Sequence, residues 1–328
     1  MQDIRIGAAQ FENRNGDKQY NLATIRRLTG RAVSMGAEMV CFHEGAISAY
    51  SFIRRLELAA LTDLAEPVPN GPSVKELMRI SREHRVPIAA GLIERDGAQL
   101  FNTYAIVDGD RLVARHRKLH PFVNRHLSAG NEYTVFELRG CKFGALICYD
   151  NNLCENVRIT TMLGAEIVLM PHVTCCLPSP MPGRGVVDRE LWANRDRDPV
   201  PLRLEFAGPK GREWLMRWLP ARAWENGIYA VFTNPVGIDD DQIRNGNSMI
   251  LDPFGEVLAE CNTPGDDVVV GLCTPDKIDL SSGRRYIRAR RPELYGKLVE
   301  PPAEPPVTAP GWDTSKSVSR FQLHDRQS

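Results

Sequence analysis

Strand-like and helix-like stretches alternate along this chain from its first residues, and that rhythm predicts an α/β sandwich rather than an all-α or all-β fold. Two further observations agree with it. The 328 residues exceed one minimal domain yet fit a single large α/β domain. A hydrophobic content of 43% is ordinary for a globular protein and supplies the apolar surface that a layered core requires.

The elements follow in order. Ile4–Gln10 alternates as a strand, and Tyr20–Met35 has the apolar spacing of a helix. Glu38–His43, with Met39, Val40, Cys41 and Phe42 in succession, reads as a strand. Gly71-Pro72-Ser73 is a start signal for a helix over Ser73–His84. Pro87–Ile93 and Asn102–Val107 read as strands, and Asp108-Gly109-Asp110 turns the second into a hairpin partner at Arg111–Lys118. Phe143-Gly144-Ala145-Leu146-Ile147 then runs straight into Cys148 and the polar Asp150-Asn151-Asn152, as a buried strand ends when its last side chain faces a pocket. A helix at Asn156–Leu163, a strand at Ala165–Met170, a helix at Trp214–Asn226 and a strand at Ile228–Asn234 come next. Ser248–Asp252 and Val257–Glu260 form a hairpin around Pro253-Phe254-Gly255, and Val268–Leu272 is a last strand.

Two segments depart from the rhythm. Residues 175–213 are rich in Pro, Gly, Arg and Asp, and so long a weakly periodic connection is either a functional lid or a surface insertion. Residues 299–328, opening Val299-Glu300-Pro301-Pro302, read as a polar tail or an arm over a partner subunit, which leaves 1–298 as one domain.

Composition excludes several classes. Lys plus Arg equals Asp plus Glu at 41 each, so no overall field draws the chain to nucleic acid or to an anionic membrane. No run approaches the length of a bilayer span, and the first residues lack the basic and apolar regions of a secretion signal. The eight cysteines are scattered without paired CxxC spacing, and adjacent Cys175-Cys176 are poorly placed to hold one metal. A reduced, cytoplasmic setting with free thiols and no structural metal is the expectation.

Three strand ends carry the chemistry. Met39-Val40-Cys41-Phe42-His43-Glu44-Gly45 ends an apolar strand in a carboxylate, and Ala114-Arg115-His116-Arg117-Lys118 ends a hairpin in a basic cluster. Cys148 ends the third. Singly, each has a plain reading: a solvated sheet cap, an exposed basic turn, a small buried hydrophobe. Together they supply what attack on a C–N bond needs. A thiol at its ordinary pKa is mostly protonated at neutral pH and needs a base, which a partly desolvated carboxylate provides. An ammonium group and a backbone N–H beside the nucleophile then stabilise the oxyanion.

In the order Glu44, Lys118, Cys148, the contexts Phe42-His43-Glu44, His116-Arg117-Lys118-Leu119 and Ile147-Cys148-Tyr149-Asp150 resemble the nitrilase, or carbon–nitrogen hydrolase, superfamily. The resemblance runs from about residue 3 to 275, through Gly164-Ala165-Glu166, Pro220-Ala221-Arg222-Ala223-Trp224-Glu225-Asn226 and Asn247-Ser248-Met249-Ile250-Leu251-Asp252-Pro253-Phe254-Gly255. It implies an α-β-β-α sandwich that forms four-layer homodimers or higher homo-oligomers. It also implies a Glu44–Lys118–Cys148 triad, a covalent thioester or thioimidate intermediate, and no cofactor. The expected substrate is a small carboxamide. A nitrile or an N-carbamoyl compound is the alternative, and a non-catalytic binding protein on a retained hydrolase fold is the reading outside enzymes.

Two departures bear on the substrate. Many members carry a second glutamate shortly after the lysine, where this chain has Leu119-His120-Pro121-Phe122-Val123-Asn124-Arg125-His126; Asn124 or His126 would stand in for it. Members that hydrolyse N-carbamoyl-D-amino acids resemble one another in an arginine at the position of Asn152, and an Arg fork is hard to replace for a carboxylate. Arg184 or Arg195 could supply a cation from 175–213. His172, just past the Ala165–Met170 strand, is a further pocket candidate, and the Tyr149 N–H is the expected oxyanion donor.

Overall fold

The computed structural model describes residues 1–179 and 181–301; the expected tail therefore lies, but for its first three residues, outside the described residues. In chain order the strands are β1 (Ile4–Gln10), β2 (Met39–Cys41), β3 (Ile88–Asp96), β4 (Gln99–Asp108), β5 (Arg111–Arg117), β6 (Thr134–Leu138) and β7 (Cys141–Ala145). They continue with β8 (Ile167–Pro171), β9 (Tyr229–Thr233), β10 (Val236–Asp239), β11 (Gln242–Asn245), β12 (Met249–Leu251), β13 (Val257–Glu260) and β14 (Asp267–Cys273). Two six-stranded sheets result, ordered β14-β1-β2-β3-β4-β5 and β13-β12-β9-β8-β7-β6, with β10-β11 as a separate hairpin.

Period-2 side-chain alternation explains why these strands read as continuous apolar runs. Met39 and Cys41 face a core between the two sheets, shared with Ile6, Tyr104, Phe143, Ile167 and Ile250. Val40 and Phe42 face the other way, into a core with Ile25, Leu28, Leu77 and Ile80 from helices Lys18–Ser34 and Pro72–His84. In the second sheet Ile167 and Leu169 point inward, while Val168 and Met170 meet Val157 and Ala223 of helices Cys154–Met162 and Leu219–Asn226. Both faces of both sheets are covered, and the layers run α-β-β-α.

Local signals set the helix ends. Asp17 caps the first helix by accepting from the Tyr20 N–H at 3.0 Å. Pro72 opens its helix in the first turn, and Arg85 closes it at φ 59°. The helix expected over Trp214–Asn226 is two helices, Arg212–Met216 and Leu219–Asn226. Pro220 is the reason: it has no N–H for a helix interior but fits the first turn of a new one. The irregular 175–213 segment carries helices Arg189–Ala193 and Val200–Ala207, and its Trp192, Leu202 and Phe206 are buried. No helix among the described residues is long and apolar enough to cross a membrane.

Strand direction places the chemistry. β1, β2 and β3 are parallel, and β5 returns to that direction after two antiparallel steps. β7, β8 and β9 are parallel in the second sheet. Glu44, Lys118, Cys148 and Val173 all follow the carboxyl ends of such strands, where open sheets offer a crevice.

Candidate active site

Glu44 leaves β2 on a tight turn. Gly45 adopts φ 59°, and a Cβ on Gly91 of β3 would lie 2.3 Å from the Gly45 nitrogen, so only glycine lets the turn pack this closely. On β5 the basic cluster is divided by the pleat. Arg115 and Arg117 each lie 2.6 Å from Oε1 of the fully buried Glu94, while Lys118 turns the opposite way, into the sandwich. Strand β7 ends at Ala145, three residues before Cys148, although the chain stays bonded to β8: Leu146 N–H donates to the Leu169 carbonyl at 3.1 Å and Cys148 N–H to that of Pro171 at 2.8 Å. Cys148 itself is an elbow at φ 50°, ψ −107°, a conformation costing about 1–3 kcal/mol for a non-glycine residue.

The three side chains meet in a dry setting. Glu44 is fully buried, Lys118 is 1% exposed and Cys148 6%. Lys118 Nζ donates to Glu44 Oε1 at 2.7 Å and to the Tyr50 hydroxyl at 3.3 Å. Asn102 Nδ2 also donates to Glu44 Oε1, at 2.6 Å. Val173 bridges base and thiol: its N–H donates to Glu44 Oε2 at 3.1 Å, and its carbonyl accepts from Cys148 Sγ at 3.8 Å. Burial, with the nearby Glu44 carboxylate, pushes the Cys148 thiol up to about 12 against the opposing pull of Lys118. Burial pulls the Lys118 ammonium down, but Glu44, Tyr50, Cys148 and Asp150 together outweigh it and hold its pKa well above the usual lysine range.

Asp150, fully buried two residues past the thiol, ties the strand ends together. Its Oδ1 accepts from the His120 N–H at 2.9 Å, and its Oδ2 from Leu119 and Ile147 at 3.2 and 3.1 Å. The loop after Lys118 is thereby bonded to the residue before Cys148. Arg222 holds the other side, donating to the carbonyls of Asn151 at 3.0 Å and Asn152 at 2.9 Å. Sequence reasoning quoted Arg222 and Asp150 without giving them work, and it missed Asn102 and Tyr50. For Asn102 a signal existed: a carboxamide inside an otherwise apolar strand needs a buried polar partner.

Cys148 opens onto a cavity of about 600 Å³. Tyr50, Phe122, Tyr149, Trp214 and Trp218 give it aromatic walls, and Leu177, Pro178 and Met181 of the irregular segment form another side. Glu44 and Lys118 do not line it but lie in the layer beneath Cys148 and Tyr50. A cavity of about 710 Å³ against Met1, Cys141 and Arg284 is larger, but it sits at the opposite strand ends and contains none of the three side chains. Among the described residues, no group of three or more His, Cys, Asp or Glu side chains is placed to hold a metal.

Tyr149 and Asn152 line the cavity, Asn152 with its carbonyl held by Arg222. The stand-ins for a second glutamate are elsewhere. Asn124 Nδ2 donates to the carbonyls of Ile53 and Leu56 at 2.7 and 2.9 Å, and its Oδ1 accepts from the His126 N–H; it clamps a turn and does not touch Lys118. The His126 ring sits by Arg125 and Glu57 on the surface. Lys118 finds its acceptors in Glu44 and Tyr50 instead. His172 is corrected too: it is fully buried behind the cavity wall, against Trp218 and Phe232, with Nε2 3.3 Å from Asn151 Nδ2. Arg184 lines the cavity, whereas Arg195 packs on Trp192 away from it.

The chain matches the carbon–nitrogen hydrolase family over residues 5–281. It belongs to that family. This carbon–nitrogen hydrolase is 31% identical to an (R)-stereoselective amidase from a Pseudomonas species over 306 residues, covering 91% of this chain and 96% of that one. It is 27% identical to a nitrilase of Pyrococcus abyssi over 270 residues, covering 81% and 88%. An amidase from Nesterenkonia sp. AN1 shares the fold of this hydrolase, with a TM-score of 0.66 and 22% identity over 90% of this chain and 97% of that one. That amidase structure shows covalent addition of the acetamide moiety of fluoroacetamide at its active-site cysteine.

Proposed function

We propose that this enzyme hydrolyses a small carboxamide through a thioester on Cys148. The observation that carries the reading is the Glu44 carboxylate, locked by Lys118, Asn102 and Val173 and bridged through Val173 to a strained, cavity-facing thiol.

A thiol whose proton is held up to about 12 is a poor nucleophile unless a base removes that proton as attack proceeds. Glu44 takes the proton and the sulfur bonds to the amide carbon, whose π electrons move to oxygen. The Tyr149 N–H and Lys118 stabilise that oxyanion. Protonated Glu44 gives its proton to the nitrogen, the C–N bond breaks, and ammonia or an amine leaves. Glu44 then takes a proton from water, the hydroxide equivalent attacks the thioester, and the acid departs as the thiol is restored. Lys118 keeps its positive charge throughout, because Glu44, the thiolate and the oxyanion in turn sit beside it.

Intact-mass analysis across matched amides and nitriles tests this. Wild-type protein is expected to release ammonia and acquire an acyl mass, and Cys148→Ala to do neither while keeping its fold. Ammonia release by Cys148→Ala would overturn the assignment of the nucleophile. Turnover of the nitriles without their amides would move the reading to a nitrilase.

A further inference from the structure

Three arginines, Arg184, Arg217 and Arg222, line the cavity above Cys148, and among the described residues no acidic side chain does. Two of them are already engaged. Arg217 pairs with Glu213 at 2.7 Å, and Arg222 is committed to Glu225 and to the carbonyls of Asn151 and Asn152. Arg184 differs in three ways. Its guanidinium carbon lies 3.8 Å from the centre of the Trp214 ring, which fixes the plane of the fork. Its Nε is buried without a hydrogen-bond partner, and no carboxylate among the described residues pairs with it. Burial pulls its pKa below the usual arginine value and Arg217 adds repulsion, against the opposing effect of the Cys175 and Cys176 thiols. Arg184 is half-buried and its inner Nε is shut away from water without a partner, a cost that an anion entering the cavity would relieve.

We infer that Arg184, stacked on Trp214, is a carboxylate-binding subsite, and that the preferred substrates are amides whose acyl chain ends in a carboxylate. The inference rests on the amidase reading for the reaction, but not for the binding. The carboxylate accepts two N–H bonds from the fork, the methylenes lie between Trp218, Phe122 and Met181, and the amide carbon faces Cys148. A cationic substrate meets three like charges in the same cavity. A neutral substrate leaves the Arg184 Nε unpaired.

The test compares succinamate with butyramide and glutaramate with valeramide, each pair differing in a terminal carboxylate against a methyl. Hydrogen bonds to a charged group correspond to about a ten- to hundredfold preference in kcat/KM for the carboxylates. Arg184→Met is expected to collapse that ratio toward one. Arg184→Lys, which keeps a charge but not the fork, is expected to fall between. A ratio near one in the wild type, or one that survives Arg184→Met, overturns the subsite. Calorimetry of succinate and glutarate with Cys148→Ala protein separates the two readings. Binding that Arg184→Met abolishes supports the subsite even if wild-type protein cleaves no amide, a result that would overturn only the amidase reading. Absence of binding by both dicarboxylates overturns the subsite itself.

Discussion

At Lys118 the chain holds an ammonium group where water does not reach, and its charge survives because Glu44 lies 2.7 Å away. Such a pair is weak evidence of stabilisation, since desolvating two charges offsets much of their attraction. Breaking it is another matter. Lys118→Met leaves the Glu44 carboxylate buried beside Asn102 and Val173 with no cation, and is expected to cost about 3–5 kcal/mol. Glu44→Gln added to Lys118→Met removes the stranded charge while keeping an oxygen for the Asn102 and Val173 donors. The double variant is expected to be more stable than the Lys118→Met single, yet inactive, as read by urea midpoints alongside ammonia release. A double variant less stable than the single would mean that the carboxylate holds this corner together without its lysine. On the proposed reading the pair serves the chemistry, and the fold carries its cost.

Among the elements, the strands buried on both faces were legible because their apolar runs leave no other reading. Ile4–Gln10 agrees residue for residue, and the β4–β5 turn sits at the predicted Asp108-Gly109-Asp110. Glu44 and Cys148 were legible for the same reason, each breaking such a run with a reactive group, whereas Lys118 closes a basic cluster and stood out only by its order between them. The sequence reading missed β6 and the β10–β11 hairpin. The latter turns at Asp239-Asp240-Asp241, whose charges read as a solvated loop. Its partner lies far away in sequence. Arg244 of β11 is fully buried, with Nε 2.9 Å from Asp239 Oδ2, and it donates to Gln242, to Ser51 Oγ and to the Cys175 carbonyl. The hairpin thus clamps the Tyr50–Ser51 turn to the segment just after Val173, both of which border the thiol. No periodicity announces a clamp made by one arginine and two remote acceptors. Arg244→Met strands Asp239 and is expected to cost about 3–5 kcal/mol of stability and to lower kcat more than it raises KM. An active variant with unchanged kcat would confine the hairpin to a structural role.

Over the whole molecule, the free thiols set an alkaline limit. Burial raises Cys148 and Cys176 to about 12, and Cys41, Cys175 and Cys273 further still. In the unfolded chain each titrates near about 8.5. Below that pH both states hold the proton and the thiols leave stability unchanged with pH. Above it the unfolded state loses protons that the native state keeps, so stability falls as pH rises, until about 12 for Cys148 and Cys176. The slope is about 1.4 kcal/mol per pH unit for each thiol, and five acting together have a slope on the order of 7 kcal/mol per unit. Against a total stability of about 5–15 kcal/mol, that brings unfolding within roughly two units above pH 8.5. The acid side follows from the histidines. Burial lowers His43 to about 4 and His172 well below the ordinary value. Their neutral forms stabilise the fold above about 6.5, and that contribution is lost as pH falls toward 4 and the unfolded state takes up protons. Urea midpoints are expected to be flat between about pH 6.5 and 8.5 and to fall on both sides, more steeply on the alkaline one. Cys41→Ala, which deletes one buried thiol, is expected to make the alkaline slope shallower. Midpoints that stay level to pH 10 would mean that the thiols already ionise in the native state, and the dry interior described around Cys148 would have to be abandoned.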